Sequence, residues 1–80
     1  MDLIIMLKVV ERIDRIHQLI KMKATGSPVE LAYRLKISER MVYEYLNLMR
    51  EMGAPIKFDR VRRSYYYEYE IRFSFGFFQS

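Results

Sequence analysis

The stretch Ser27-Pro-Val-Glu-Leu-Ala-Tyr-Arg-Leu-Lys-Ile-Ser-Glu-Arg-Met-Val-Tyr-Glu-Tyr-Leu carries two helix starts eleven residues apart, which constrains the chain more than any other feature. Ser27 suits an N-cap, Pro28 suits the first helical position, and Glu30 stands three residues after the cap, where a capping box needs it. Leu31, Ala32 and Leu35 give one short apolar stripe. Ser38 then offers a second N-cap, and Val42, Leu46 and Met49 continue at helical spacing. Two short helices joined by so tight a turn must cross steeply, and Ala32 is small where they approach. This geometry exposes one side of the second helix.

The flanks complete the pattern. Residues 2 to about 22 read as one helix, with Ile13, Ile16, Leu19 and Ile20 on one face and Glu11, Arg12, Asp14, Arg15, His17, Gln18 and Lys21 on the wet one. From Leu3 to Val10 only Lys8 is polar, so this half is apolar nearly all round. A domain of 80 residues has a thin core and cannot cover every side of such a helix. Lys23-Ala-Thr-Gly-Ser forms a loop, the next helices span about 28–35 and 39–52, and Gly53 with Pro55 stops the last of them. Ile56-Lys-Phe-Asp starts a strand and Arg60-Val-Arg-Arg-Ser is a basic turn. From Tyr65 to Phe77 the odd positions are apolar (Tyr65, Tyr67, Tyr69, Ile71, Phe73, Phe75, Phe77), whereas Glu68, Glu70, Arg72, Ser74 and Gly76 fall between them. Period two predicts one long strand with an apolar face. The expected class is therefore α+β, three helices followed by a β-hairpin and an extended C-terminal strand. It forms one domain, with residues 1–10 and 70–80 as extensions.

Helix, helix-turn-helix and a hairpin with a basic tip is the order of a winged helix. The run Leu31-Ala-Tyr-Arg-Leu-Lys-Ile-Ser-Glu-Arg-Met-Val-Tyr-Glu-Tyr-Leu, then Leu48-Met-Arg-Glu-Met-Gly-Ala-Pro-Ile and Arg63-Ser-Tyr-Tyr-Tyr, resembles the N-terminal domain of the DeoR-like and WYL-domain bacterial transcription regulators. It is similar also to the biotin-repressor DNA-binding domain. The resemblance spans residues 11 to 69 and implies operator DNA as partner, with the third helix in the major groove. Arg40 and Tyr43 match the family pattern. Lys36 stands where the family usually has Gly, which asks a non-Gly residue to take a left-handed conformation. Glu39 and Glu44 stand where the family tends to be basic, although a carboxylate can accept from a cytosine amino group.

The net charge of +4 favours a polyanionic partner. Arg34 and Lys36 flank the turn, Ser38 caps the third helix, and Glu39, Arg40, Tyr43, Glu44 and Asn47 line its outer side. Lys57, Arg60, Arg62 and Arg63 gather on the hairpin. In a winged helix these places face the duplex together, with phosphate contacts from turn and wing and base contacts from the helix. A basic hairpin tip can equally be a solvated device that keeps edge strands apart. Two rivals to duplex binding follow from the same residues. The acidic groups on the third helix and the surplus apolar surface suit a protein-binding module, and the aromatic strand could stack unpaired bases.

Catalysis has little to stand on, and an enzyme is not expected. There is no cysteine, and His17, the only histidine, is expected on the wet face of the first helix. Glu68 and Glu70 share a strand face but more readily line an exposed edge. No Gly-rich phosphate loop or metal-ligand spacing is present, so no cofactor or metal is expected. Lys8, Glu11, Arg12, Asp14 and Arg15 interrupt the apolar N-terminal run far short of the roughly 20 residues a membrane span needs. No basic leader or small-residue cleavage site marks a signal peptide. A soluble cytoplasmic protein with no membrane partner is the expectation. The two apolar ends together predict a homodimer through the N-terminal helix, the C-terminal strand, or both.

Overall fold

The computed structural model describes residues 2–74. Three helices, α1 (Leu3–Lys21), α2 (Pro28–Leu35) and α3 (Glu39–Glu51), are followed by an antiparallel hairpin of β1 (Ile56–Asp59) and β2 (Ser64–Tyr67). The layout is α+β. Each helix begins on an oxygen-bearing cap. The Asp2 carboxylate accepts from the Ile4 N–H at 3.1 Å, Ser27 Oγ from the Glu30 N–H at 3.2 Å, and Ser38 Oγ from the Met41 N–H at 3.1 Å. Ser27 Oγ also donates to Glu30 Oε1 at 3.2 Å, so Glu30 closes on its cap from both sides.

The three helices also end alike. Lys23, Lys36 and Gly53 each take a positive φ, of 54°, 58° and 106°. The next residue then donates its N–H five residues back, Ala24 to Leu19, Ile37 to Ala32 and Ala54 to Met49, at 3.0 to 3.1 Å. This left-handed stop satisfies carbonyls that a helix end leaves unpaired. Two of the three stops use lysine, at the conformational cost that glycine avoids.

The core joins one stripe from each element: Ile13, Ile16 and Ile20 of α1, Leu31, Ala32 and Leu35 of α2, Val42, Tyr45, Leu46 and Met49 of α3, and Ile56 and Tyr65 of the hairpin. Helix rise explains what remains uncovered. At about 1.5 Å per residue α1 is roughly 28 Å long, against about 12 Å for α2 and 20 Å for α3. Burial on α1 begins in earnest at Ile13, and Leu3, Ile4, Ile5, Met6 and Leu7 project beyond the body, 42–67% exposed.

Two sequence expectations are corrected here. The strand expected from Tyr65 to Phe77 ends at Tyr67. Its partner β1 begins at Ile56, paired with Tyr67, and Pro55 before it has no N–H to offer. The Pro55 carbonyl takes one last bond, from the Glu68 N–H at 2.8 Å, and then β2 has no neighbour. Residues 68–74 form no strand, and Phe73 turns back to pack on the core. The remainder of the expected extension, including Phe75 and Phe77, lies outside the described residues. Period-two patterning describes a strand only where a partner exists to receive it.

The second correction is His17, which is buried at 2% exposure and not solvated. Tyr67 and Phe73 come down over it, with ring centroids at 5.5 and 5.8 Å, and its Nδ1 lies 2.7 Å from the Tyr67 hydroxyl. His17 stands four residues after Ile13 and three before Ile20, inside the buried stripe of α1, and the hairpin and the segment after it close over its ring.

Candidate nucleic-acid interface

The α2–α3 turn is set by backbone geometry. Lys36 adopts φ 58°, ψ 43°, the left-handed conformation expected of it, and its side chain is exposed. Ile37 tucks partly into the core and Ser38 starts α3, so only two residues separate the end of α2 from the next cap. Val42, Tyr45, Leu46 and Met49 bury one side of α3, which leaves Glu39, Arg40, Tyr43, Glu44 and Asn47 on the exposed side.

Several of these side chains already have partners. Arg40 Nε meets Glu44 Oε1 at 3.3 Å, with the two side chains 88% and 54% exposed. An exposed i, i+4 pair of this kind contributes only about 0.3–0.5 kcal/mol, so Arg40 can leave Glu44 for a phosphate or base at small cost. Asn47 Oδ1 accepts from Arg50 Nη1 at 3.3 Å, and Arg50 Nε donates to the Ile56 carbonyl, also at 3.3 Å. Arg50 thus links α3 to β1 and holds Asn47. Its i+3 position after Asn47 could have flagged the side-chain bond; its link to Ile56 required the fold. Arg34 Nη1 donates to the Ala24 carbonyl at 2.9 Å, which ties α2 to the loop before it.

The hairpin is positioned by a polar clasp that sequence reasoning passed over. Thr25 and Ser64 are buried at 0% and 1% exposure. The Thr25 N–H donates to Ser64 Oγ at 3.1 Å, and the Tyr65 N–H donates to Thr25 Oγ1 at 2.8 Å. These side-chain bonds do what a third strand's backbone would do, fastening the α1–α2 loop to β2. Tyr65 then lies against α3. Burial, with Tyr43 and Glu39 nearby, pushes its hydroxyl pKa up against a smaller opposing effect of Arg50.

At the hairpin tip the Asp59 carboxylate accepts from the N–H groups of Val61 and Arg62 at 2.9 and 3.2 Å. The turn is therefore held by Asp59 and the backbone, and the side chains of Arg60, Arg62 and Arg63 stand exposed. Arg63, at φ 55°, reaches Glu30 Oε1 at 3.2 Å with both partners well exposed, so the tip leans toward the start of α2. Lys57 is exposed on β1. Turn, α3 and hairpin thus carry exposed cations at Lys36, Arg40, Lys57, Arg60, Arg62 and Arg63, while Arg34 is drawn to the Ala24 loop.

Among the described residues no three His, Cys, Asp or Glu side chains gather in a metal-ligand cluster. None of the described helices is long and apolar enough to cross a membrane. Comparison with protein-family models, with curated proteins and with solved structures finds no match to this chain.

Proposed function

We propose that the chain is a winged helix-turn-helix domain that binds duplex DNA in transcriptional regulation. In this reading α3 enters the major groove and the β1–β2 hairpin is the wing. The observation that carries it is the pairing of an exposed α3 face, presented by a left-handed Lys36 turn and a Ser38 cap, with a hairpin tip whose three arginines are not needed to hold its turn. Arg40 would reach base edges or phosphates once released from Glu44, and Arg60, Arg62 and Arg63 would hold the adjacent backbone. Ser38 would serve through the cap that fixes α3, and Lys36 and Lys57 as phosphate contacts.

A protein-binding role for the same face is the second reading. It is favoured by Glu39 and Glu44 on that face and by the internal partners of Arg40 and Asn47. Glu39→Arg separates the two. It replaces repulsion from phosphates with attraction and should raise affinity for random duplex about tenfold near 0.1 M salt, as one added phosphate contact does. Fluorescence anisotropy with a labelled duplex reads this. Unchanged affinity would mean that α3 faces a protein.

A further inference from the structure

The first two turns of α1 lie outside every role given above. Leu3, Ile4, Ile5, Met6 and Leu7 are 67%, 61%, 52%, 42% and 48% exposed. Five consecutive large apolar residues cover every side of a helix, so no rotation of α1 would hide them within one chain. They leave on the order of 500 Å² of apolar side chain in water, in the upper range of the largest patch a monomer normally shows.

This surface continues into a groove. Val9, Met41, Glu44, Tyr45 and Leu48 line a hollow of about 190 Å³ between α1 and α3, just beyond the projecting turns. Leu48 on its rim is 39% exposed. One face of the molecule therefore carries both an apolar projection and an apolar recess. An isologous two-fold contact can use that combination, because the same patch must serve as both halves.

The order of residues in the projection also suits a second copy. In an antiparallel crossing centred near Ile5, positions equidistant from the centre lie level with each other. Leu3 then faces the level of Leu7, Ile4 that of Met6, and acidic Asp2 that of basic Lys8. Projection and groove together offer at most about 550 Å² per chain, the low end of what a specific interface buries.

We propose that two copies of this chain associate through a two-fold contact in which the α1 projections cross and each reaches toward the other's Val9–Leu48 groove. The contact does not depend on the DNA-binding reading, and its test contains no DNA. It lies on the α3 flank of Met41, Tyr45 and Leu48, beside the exposed face of Arg40, Tyr43 and Asn47.

Sedimentation velocity at micromolar concentration should give twice the 9.8 kDa chain mass, and the double variant Ile4→Glu, Leu7→Glu should sediment as a monomer with its helical circular dichroism kept. Leu48→Glu, on the groove rim, should weaken the dimer separately. If the double variant fails to fold, single cysteines decide, since the chain has none of its own. Placed in turn at positions 3 to 7, at least one should form an intermolecular disulfide on oxidation, well above the level of a cysteine at the exposed tip residue Val61. A monomeric wild type, a dimer indifferent to Ile4→Glu, Leu7→Glu, or no cross-link above the Val61 level would each overturn the proposal. So would a chain that stays monomeric in buffer but sediments with lipid vesicles, because the projection would then belong to a membrane surface.

Discussion

A chain with Arg60, Arg62 and Arg63 all changed to Ala is expected to lose duplex affinity by about two to three orders of magnitude near 0.1 M salt. Each phosphate contact contributes roughly 0.9 to the slope of log affinity against log salt, which at 0.1 M is nearly tenfold per contact. Three lost contacts should therefore flatten the slope by roughly 2.7 and weaken specific and random sequences alike. The hairpin should survive the change. Its turn is held by Asp59 Oδ1 on the backbone of Val61 and Arg62, and its base by Thr25, Ser64 and Tyr65. Arg63 gives up only an exposed pair with Glu30, worth at most about 1 kcal/mol. Anisotropy titrations at several salt concentrations check the slope. An unchanged slope in a variant with native circular dichroism would remove the hairpin from the interface.

A large stability effect is expected at His17. Its ring fills the space between α1, Tyr67 and Phe73 and meets the Tyr67 hydroxyl at 2.7 Å. His17→Ala would leave both a cavity and a half-buried hydroxyl without its partner, at a cost of about 3 kcal/mol. Small domains have roughly 5–15 kcal/mol in total, so this is a large share. The same site makes stability depend on pH. Burial pushes the His17 pKa below its ordinary 6.5, with Lys21 adding to the shift and Asp14 opposing it. Burial also pushes the Tyr67 hydroxyl up to about 12, so it remains a neutral partner across this range. Because the folded pKa is the lower one, the unfolded chain takes up a proton first as the solution is acidified. His17's contribution is whole above pH 6.5 and declines as pH falls through the folded pKa. Urea unfolding at pH 7.5 and at pH 5 should show wild type losing stability on acidification, with His17→Asn losing less. Equal losses would place the pH dependence elsewhere.

What the sequence made legible was local. Ser27, Pro28, Glu30 and Ser38 set the starts of α2 and α3 through bonds that span three residues, and the apolar stripes of all three helices reappear in the core. Gly53 announced its left-handed stop, and Lys36 was expected to adopt one because it stands where the regulators the chain resembles usually have Gly. Lys23 gave no such sign, since lysine has no preference for that conformation. The less legible features depend on residues brought together from far apart in sequence. Thr25 and Ser64 are 39 positions apart, and each looks like an ordinary loop residue until the other is present. His17 and Tyr67 are 50 apart; the spacing from Ile13 and to Ile20 sets His17 in the apolar stripe, but only the fold supplies the ring that covers it. The aromatic alternation after Tyr65 promised a strand, but a strand is a property of two segments, and Pro55 ends the second. At the candidate interface, exposure of Arg40 and of the hairpin arginines followed from the pattern, whereas the pairs Arg40–Glu44, Arg63–Glu30 and Asn47–Arg50 became visible only with the side chains in place.

The most direct measurement is the affinity of the wild-type chain for a random duplex at 50 and 200 mM salt, with a single strand of the same length as competitor. Measurable binding is expected at the lower salt, with a fall of about a hundredfold at the higher as four or so phosphate contacts weaken, and with duplex preferred over the single strand. No duplex binding at 50 mM salt, or binding that ignores salt, would contradict the DNA-binding reading.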